Sequence, residues 1–536
     1  MGGNAKAGPK EERFLVKKGK AIGMQLKASK WKQMPDWIEG HGEGNDVLAD
    51  SKIFEGDFLL SAELRIKNQH GSAASFFLEG NHFGFEGASE TVFVNGPIFG
   101  GLKLMMSAPE VVPRGQWIHF EVERKEGLIL FRVNEKQITS VKSSLVFEDF
   151  GFRPWRSTMQ VRECIVKGEI KKIKPSQPRG YTIPTIDLAS QKHRQVIIDR
   201  EAGQYLGHPT TVLLEDGKTM LIVYPKGHGK GGIVYKRSTN GGKSWSKRLP
   251  TPKSWSTSRE VPTIHRVEDA KGKKRLVMWS GLYPARLAVS EDDGINWGEL
   301  KKVGSWGGIV VMGCLEELKT GKGHYMAMFH DDGRFFTAKP QQKQPVVFDL
   351  FKTFSIDGGL TWTNPESILA RSDVHLCEPG IIRSPDGKQL CVLLRENSRR
   401  KNSFVIFSND EGKTWTKPRE LPASLTGDRH TGKYTADGRL FISFRDTTHE
   451  SPTKGDWVAW VGIYEDIVKG AEGQYRVRLM DNTKGGDCAY PPVEILPDDT
   501  IVTTTYGHWT KGQSPYIVSV RLKLAELDEM AKRLRR

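Results

Sequence analysis

Short stretches in which apolar and polar residues alternate dominate the first third of the chain. Residues 58–66 (FLLSAELRI), 117–124 (WIHFEVER) and 128–134 (LILFRVN) place an apolar side chain at every second position, and turn-forming residues separate them. A period of two is typical of strands with one buried face, and no helical period interrupts it. The pattern predicts a β-sandwich over residues 1–172.

The segment that follows is predicted to be a linker. Residues 173–190 contain three prolines and show no hydrophobic period, as expected of a boundary between domains. The strands before it resemble those of concanavalin-like jelly rolls. This resemblance implies either a carbohydrate-binding module or a structural platform for residues 1–172.

An eight-residue pattern recurs four times in the remaining residues, 191–536. Its frame is Ser-x-Asp-x-Gly-x-x-Trp, with Asn240 in place of the aspartate in the first copy, and successive copies start 52, 65 and 53 residues apart. A four-stranded propeller blade with its loops needs about 40 to 50 residues, so each copy marks one blade. The copies are STNGGKSW (238–245), SEDDGINW (290–297), SIDGGLTW (355–362) and SNDEGKTW (408–415).

The chemistry of this pattern suits the turn after a strand. The aspartate accepts hydrogen bonds from turn N–H groups, the glycine supplies a positive φ, and the tryptophan packs on the neighbouring blade. The pattern resembles the Asp box of sialidases (neuraminidases). The resemblance implies an all-β protein in which a six-bladed β-propeller over residues 191–536 follows the sandwich. In sialidases the boxes lie on the outer corners of the blades, so they indicate the fold and not the chemistry. Residues 523–536 are predicted to form a short C-terminal helix.

Net charge and hydropathy indicate which classes of binding partner to expect. The net charge is +16, and a basic surface attracts polyanions. Because the basic residues are spread along the chain and no nucleic-acid-binding motif occurs, acidic glycans are favoured over nucleic acid. No run of about 18 apolar residues is present, so no membrane span is predicted.

The cysteines and histidines argue against metal chemistry. Five cysteines without a CxxC pair fit neither a disulfide framework nor a structural zinc site. No histidines show HExxH spacing, so we predict no metal and no cofactor. Residues 1–14 lack the apolar segment of a signal peptide. We nevertheless expect a secreted or periplasmic protein, with the signal absent from this sequence.

The sialidase resemblance extends to a nucleophile. Sialic acid carries a carboxylate on its anomeric carbon, and this carboxylate repels a carboxylate nucleophile. Sialidases use a neutral tyrosine activated by a glutamate, three arginines that bind the substrate carboxylate, and an aspartate as acid/base. Residues 487–509 (DCAYPPVEILPDDTIVTTTYGHW) resemble the last-blade segment that carries this tyrosine. The resemblance implies that Tyr490 is the nucleophile.

Two further blades supply the partners of the tyrosine. Residues 375–397 (HLCEPGIIRSPDGKQLCVLLREN) are predicted to form a strand, a turn and a strand, so that Glu378 and Arg395 reach the same rim. The resemblance implies that Glu378 activates the tyrosine and that Arg395 binds the substrate carboxylate. One blade later Arg445 ends a predicted strand and is the favoured further arginine, with Arg429 as its competitor.

The first blade departs from the sialidase pattern. Sialidases open with Phe/Tyr-Arg-Ile-Pro, but here His208 stands before the proline in YLGHP (205–209) and the arginine is missing. The segment PKGHGKGG (225–232) contains no carboxylate where the catalytic aspartate is expected, and His228 is its nearest titratable group. A histidine can act as general acid or base near neutral pH. We therefore predict a rebuilt acid/base side with His228 in a catalytic role and His208 in contact with substrate.

Other charged residues lie near predicted strand ends on the same rim. A second carboxylate that activates a water opposite a histidine acid would make the reaction inverting. Glu260 is our candidate for this catalytic carboxylate, and Asp332 is the alternative. The further substrate-binding candidates are Arg259 and Arg286.

These expectations favour one function and leave two alternatives open. The first is an exo-acting sialidase-type glycoside hydrolase that releases terminal sialic acid from glycoconjugates. The second is a hydrolase of another acidic sugar. The third is a glycan-binding propeller without catalysis.

Overall fold

The structure is a computed structural model that divides the chain into two compact units, Met1–Ser176 and Gln177–Arg536. Each unit is described by itself. The residues described are 11–22, 31–42, 54–67, 73–78, 80–87, 89–107, 111–113, 115–143, 150–170, 178–343 and 345–534.

The first unit is a sandwich of two antiparallel sheets, as the alternating pattern predicts. A 3-10 turn, Pro97–Phe99, is its one described helical element. The larger sheet runs in the order Lys136–Lys142, Leu128–Val133, Ile118–Lys125, Phe54–Lys67, Ser157–Ile170, Glu11–Lys17 and Lys20–Ala21, with Ile38–Gly42 and Trp31–Gln33 added beside Ser157–Ile170. The second sheet runs in the order Phe150–Arg153, Ala73–Leu78, Asn81–Glu86, Thr91–Asn95 and Lys103–Ser107.

The two sheets bury one shared apolar layer. Phe76 of the smaller sheet contacts Phe120 of the larger sheet at a ring-centroid distance of 5.7 Å. It also contacts Phe152 of its own sheet at 5.0 Å. The alternate residues of Ile118–Lys125 are buried and partly exposed in turn. The period of two in the sequence thus separates the core face from the outer face.

The second unit contains six sheets, which we number blade 1 to blade 6 in chain order. Blade 1 comprises Thr210–Leu213, Met220–Pro225 and Ile233–Ser238, and blade 2 comprises Pro262–Glu268, Lys274–Ser280, Arg286–Ser290 and Lys301–Lys302. Blade 3 comprises Ile309–Glu317, Tyr325–Asp331, Phe348–Ser355 and Glu366–Arg371, and blade 4 comprises Leu376–Arg383, Leu390–Glu396, Phe404–Ser408 and Arg419–Glu420.

The last two blades each recruit a strand from the start of the unit. Blade 5 comprises Gly427–Tyr434, Leu440–Asp446, Trp457–Gly462, Tyr475–Met480 and Thr185–Asp187. Blade 6 comprises Val493–Ile495, Ile501–Gly507, Tyr516–Leu522 and Gln195–Asp199. The 3-10 turns of this unit are Lys192–Arg194, Lys253–Thr257 and Ala423–Leu425, and its α-helices are Tyr464–Lys469 and Leu524–Leu534.

The six blades close into a ring. The first strand of each blade contacts the first strand of the next, and the first strand of blade 6 contacts that of blade 1. Gln195–Asp199 pairs antiparallel with Tyr516–Leu522, so the start of the unit completes its last blade. Such closure removes exposed sheet edges and fixes a six-bladed propeller, which confirms the predicted fold class.

Part of the predicted linker belongs to the propeller. Thr185–Asp187 pairs in parallel with Tyr475–Met480 at the outer edge of blade 5. Residues 173–177 lie outside the described residues. The propeller therefore begins before residue 191, because a short polar strand at a sheet edge has no hydrophobic period by which a sequence reveals it.

The Asp boxes follow the third strand of blades 1 to 4 and confirm the predicted turn chemistry. In the box of blade 3, Ser355 Oγ accepts a hydrogen bond from Gly359 N at 2.9 Å, and Asp357 Oδ1 accepts one from Thr361 N at 3.0 Å. The tryptophan of the box, Trp362, packs edge-on against Trp279 of blade 2 at 5.3 Å. Each box therefore joins its own turn to the preceding blade.

The structure contains the predicted C-terminal helix. The C-terminal helix Leu524–Leu534 buries Leu524, Leu527 and Ala531, and its Asp528 pairs with Arg439 of blade 5 at 2.8 Å. All five cysteines are buried and free. Within the described part of the chain, no helix is both long and apolar enough to cross a membrane.

Removing the acceptor of one Asp box should destabilise the propeller, whereas retaining it as an amide should not. Asn240 in the first box accepts the equivalent hydrogen bond from Ser244 N at 3.0 Å, which shows that an amide oxygen serves the turn. Asp357→Ala should therefore lower the free energy of unfolding by about 1–2 kcal/mol, and Asp357→Asn by less than about 0.5 kcal/mol. Urea denaturation measures both. Equal losses in the two variants would mean that the charge, and not the acceptor, stabilises the turn.

Candidate active site

Strained backbone marks the centre of the ring. Five residues at or just before the first strand of a blade have positive φ angles without being glycine: His208 (52°), Val310 (53°), Glu378 (49°), Arg429 (57°) and Ala489 (59°). Each such conformation costs about 1–3 kcal/mol and persists only where the surroundings impose it, as they do at functional sites.

Three of these strained residues contact one tyrosine. The Tyr490 hydroxyl donates a hydrogen bond to Glu378 Oε1 at 2.5 Å, the His208 ring lies 4.4 Å from the Tyr490 ring, and the Arg429 guanidinium lies 5.8 Å above it. Blades 1, 4, 5 and 6 therefore converge on Tyr490. The structure brings Tyr490 and Glu378 together as the sequence predicts.

Burial and charge keep the proton on the tyrosine. Burial and the negative charge of Glu378 raise the pKa of Tyr490 well above its ordinary value. Burial raises the pKa of Glu378, but the charge of Arg395 and the hydrogen bond from Tyr490 outweigh burial and leave the pKa below its ordinary value. The resting pair is thus a neutral phenol that donates a hydrogen bond to an ionised carboxylate.

Arg395 holds this carboxylate from the other side. Its Nη1 donates to Glu378 Oε1 at 2.6 Å, and its Nη2 donates to Asn397. Its Nε lies 3.2 Å from Asp428 Oδ1. Glu378 Oε2 is buried and has no hydrogen-bond partner in the described structure. That oxygen is open to a proton or to a bound ligand.

Three arginines surround Asp428, and we call Arg395, Arg399 and Arg445 the arginine cradle. Arg399 donates to both Asp428 oxygens, at 2.5 and 2.7 Å. Arg445 donates to Oδ2 through Nε at 2.8 Å and also through Nη2. Asp428 is 0% exposed, and the charges of these arginines hold its pKa far below the ordinary value even though burial raises it.

The two favoured arginines of the sequence analysis therefore lie together, and Arg429 does not join them. The Nη1 group of Arg445 also donates to the carbonyls of Gly486 and Cys488. Arg429 instead donates to the buried carbonyl of Gly313 at 2.5 Å. The Arg429 guanidinium therefore binds the backbone of blade 3 near Tyr490 instead of pairing with a carboxylate.

His208 is buried beside the tyrosine. Its Nδ1 accepts a hydrogen bond from Gly229 N at 3.1 Å, so the proton resides on Nε2, which contacts the Tyr506 hydroxyl at 3.2 Å. Burial, followed by the nearby charge of His228, lowers the pKa of His208 well below its ordinary value. His208 is therefore a neutral wall of the site at physiological pH.

His228 lies outside His208 and reaches a carboxylate that the sequence analysis missed. Its Nδ1 lies 2.7 Å from the Tyr205 hydroxyl, and that hydroxyl donates to Asp487 Oδ1 at 2.7 Å. His508 Nε2 lies 2.8 Å from Asp487 Oδ2. The Tyr205 hydroxyl donates its hydrogen bond to Asp487, so its oxygen accepts a hydrogen bond from the Nδ1–H group of His228. His228 Nε2 is left free for proton transfer.

Two ring distances limit how far His228 lies from Tyr490. The His208 ring centroid lies 4.8 Å from that of His228 and 4.4 Å from that of Tyr490. The centroids of the His228 and Tyr490 rings are therefore no farther apart than the sum of these two distances. The His228 side chain is 65% exposed, so it lies at the solvent side of the site.

Glu260 is buried on the opposite side, in front of blade 2. Its two oxygens accept hydrogen bonds from Val261 N at 2.8 Å and Val310 N at 3.0 Å. Burial raises the pKa of Glu260 to about 7, against the effect of these hydrogen bonds. A carboxyl group with this pKa can give or take a proton near neutral pH.

The other rim candidates are engaged elsewhere. Arg286 donates to the hydroxyl and carbonyl of Thr257, and the charge of Arg259 lies close enough to lower the pKa of Arg286 once burial has lowered it. Asp332 pairs with Arg334 at 2.8 Å. None of these residues has a described contact with Tyr490 or Glu378, and no described group of three or more acidic, histidine or cysteine side chains is arranged to hold a metal.

A family comparison agrees with this architecture. Residues 273–493 match the family described as BNR repeat-like domain. No curated protein matches the sequence of this chain.

The solved structures that are similar to this chain include the following three. A protein of unknown function from Dyadobacter fermentans is 15% identical with a TM-score of 0.49, covering 62% of this chain and 98% of its own. A leech intramolecular trans-sialidase is 12% identical with a TM-score of 0.43, covering 92% of this chain and 99% of its own. The NanB sialidase of Streptococcus pneumoniae is 12% identical with a TM-score of 0.44, covering 88% and 96%.

Four site residues have no short motif that could reveal them. Asp428 stands directly before Arg429 in a segment that the sequence analysis inspected only for arginines, and Asp487 stands three residues before Tyr490. Arg399 and Tyr205 lie in turns outside any strand. The one available signal was their closeness in sequence to predicted site residues.

The raised pKa of Glu260 predicts a pH-dependent stability. Because its folded pKa of about 7 exceeds the ordinary 4.5, the folded state keeps a proton that the unfolded state releases between these values. Stability from this group is full below about pH 4.5 and is lost as the pH rises through about 7. Glu260→Gln should therefore gain up to about 3 kcal/mol relative to the wild type between pH 4.5 and pH 8. Chemical denaturation across this range measures the gain. A difference that does not change with pH would contradict a shifted Glu260.

Proposed function

We propose that the chain is an exo-acting glycoside hydrolase that releases a terminal acidic sugar, with sialic acid as the first substrate to test. The observation that carries the proposal is the buried 2.5 Å hydrogen bond between Tyr490 and Glu378. A phenol aimed at a partnered carboxylate in a closed site has the geometry of an activated nucleophile.

The bond to the sugar forms on the phenol oxygen. Tyr490 Oη attacks the anomeric carbon while its proton passes to Glu378 Oε1, and the bond to the leaving-group oxygen breaks. Arg395 steadies Glu378 by its 2.6 Å contact before the transfer. Because the attacking group is neutral, it avoids repulsion by a carboxylate at the anomeric carbon.

The leaving-group oxygen needs a proton, and we assign the Nε2–H group of the doubly protonated His228 ring to supply it. Its Nε2 is free, since its Nδ1 faces Tyr205 and Asp487. In the second step the same nitrogen takes a proton from the water that releases the sugar from Tyr490. We assign this task to His228 and not to Glu260, because Glu260 is buried against two backbone N–H groups whereas the His228 side chain is 65% exposed.

Removing the Tyr490 hydroxyl should abolish turnover and retain binding. Tyr490→Phe should lower kcat on a 4-methylumbelliferyl sialoside by at least about 100-fold and change the affinity for free sialic acid by less than about threefold. Fluorophore release and calorimetry provide the two values.

A matched control is Tyr464→Phe, which removes the hydroxyl of another buried tyrosine, bonded to Gln389 at 2.9 Å. It should retain kcat within about twofold. Full activity in Tyr490→Phe would exclude Tyr490 from the chemistry. A wild type that binds sialoglycans on an array without cleaving the sialoside would favour the glycan-binding alternative, and silence in both assays would favour another acidic sugar.

The stereochemistry separates attack by Tyr490 from attack by water. Two successive displacements at the anomeric carbon retain its configuration, whereas a water activated by Glu260 or Asp332 would invert it. We assign neither as the base, because Glu260 is buried against two backbone N–H groups and Asp332 is paired with Arg334. Proton NMR of the first-formed sugar should show the retained anomer. Prior appearance of the inverted anomer would refute the double displacement.

A further inference from the structure

The arginine cradle is a complete carboxylate site that is already filled. Its three guanidinium groups make five contacts with the two oxygens of Asp428, from Arg395 Nε, both Arg399 Nη atoms, and Nε and Nη2 of Arg445. Bidentate arginine contacts are the geometry with which proteins bind carboxylates. The group that the cradle receives here comes from the protein.

Few donors in the cradle are left for a second carboxylate. The Nη1 group of Arg445 donates to the carbonyls of Gly486 and Cys488. The remaining groups of Arg395 donate to Glu378 and Asn397. A substrate carboxylate that binds these arginines therefore competes with Asp428 for donors that it already contacts.

The cradle is nevertheless reachable from the reaction centre and from solvent. Arg395 contacts both Asp428 and Glu378, the partner of Tyr490. The side chain of Arg399 is 38% exposed, whereas Asp428 is 0% exposed. A ligand therefore meets Arg399 before it meets Asp428.

We propose that Asp428 is an internal competitor for the carboxylate of the substrate, and that it sets how strongly the site binds acidic sugars. This inference rests on the proposed function and identifies the residue that limits its specificity. In the free protein Asp428 neutralises and orients the three arginines. On binding, the sugar carboxylate replaces part of these contacts, so the net gain is the difference between two similar interactions.

The proposal predicts a gain of binding on removal of the carboxyl group. Asp428→Ala leaves an open space lined by three arginines that have lost the carboxylate they share, and a small carboxylate replaces it. About 50 mM acetate should stabilise this variant by several degrees in thermal unfolding but leave the wild type unchanged. Free sialic acid should bind Asp428→Ala at least about tenfold more tightly than the wild type in calorimetry.

Two controls separate this result from a purely structural effect. Asp428→Asn removes the charge but keeps the space filled, so acetate should not stabilise it. Asp446→Ala breaks another buried pair, in which Arg476 and Asp446 are both 0% exposed and 3.2 Å apart. It should lose stability without any response to acetate or sialic acid. If Asp428→Ala does not fold in plain buffer, its refolding yield with and without acetate provides the same test.

Equal acetate responses of Asp428→Ala and Asp428→Asn, or equal sialic acid affinities of Asp428→Ala and the wild type, would overturn the proposal. These measurements need no turnover, so they are independent of the Tyr490→Phe experiment. If Asp428→Ala gains carboxylate binding but the Tyr490→Phe experiment shows no role for Tyr490 in turnover, hydrolysis through Tyr490 is refuted. The role of Asp428 as a competitor is then retained.

Discussion

A buried chain of opposite charges runs from Glu378 through Arg395 to Asp428, and the centre of the propeller is organised around it. Each member is expensive to bury alone and is stabilised by the next. Glu378 can face the phenol of Tyr490 as a carboxylate because Arg395 offsets its burial, and Arg395 is in turn fixed by Asp428. The ring closure of six blades is what brings these residues together, since Tyr490 and Glu378 lie 112 positions apart.

The two sides of the site have different chemical character. The side of blades 4 to 6 holds the ion pairs and the phenol, and its groups have firmly fixed charges. The side of blade 1 holds His208, His228 and Tyr205, which contact one another or the blade 6 residue Asp487. A two-step displacement requires a nucleophile with fixed partners and a separate proton donor near solvent. The proposed mechanism assigns one of these roles to each side of the site. The residues of blade 1 therefore differ from the sialidase pattern. In the proposed mechanism, a histidine linked to a carboxylate transfers the proton.

Sequence alone predicted the repeating elements and much of the nucleophile side. The Asp boxes mark four blades because their turn chemistry requires particular residues at fixed spacing, and Tyr490, Glu378 and Arg395 lie in strand–turn–strand segments of recognisable form. Asp428 and Asp487 could not be found in this way. Each is a single aspartate near a strand start, and its role arises from contacts between blades that no local pattern encodes. The strand Thr185–Asp187 was missed for a related reason, because its pairing with blade 5 is long-range.

The central claim is that Tyr490 forms a bond to the sugar, and trapping that bond tests it most directly. A fluorinated sialosyl fluoride slows the second displacement more than it slows the first, so the sugar should accumulate on the protein. Peptide mass spectrometry should locate the added mass on Tyr490, and Tyr490→Phe should remain unlabelled. Label on another residue, or turnover of the reagent by Tyr490→Phe at the wild-type rate, would contradict the account.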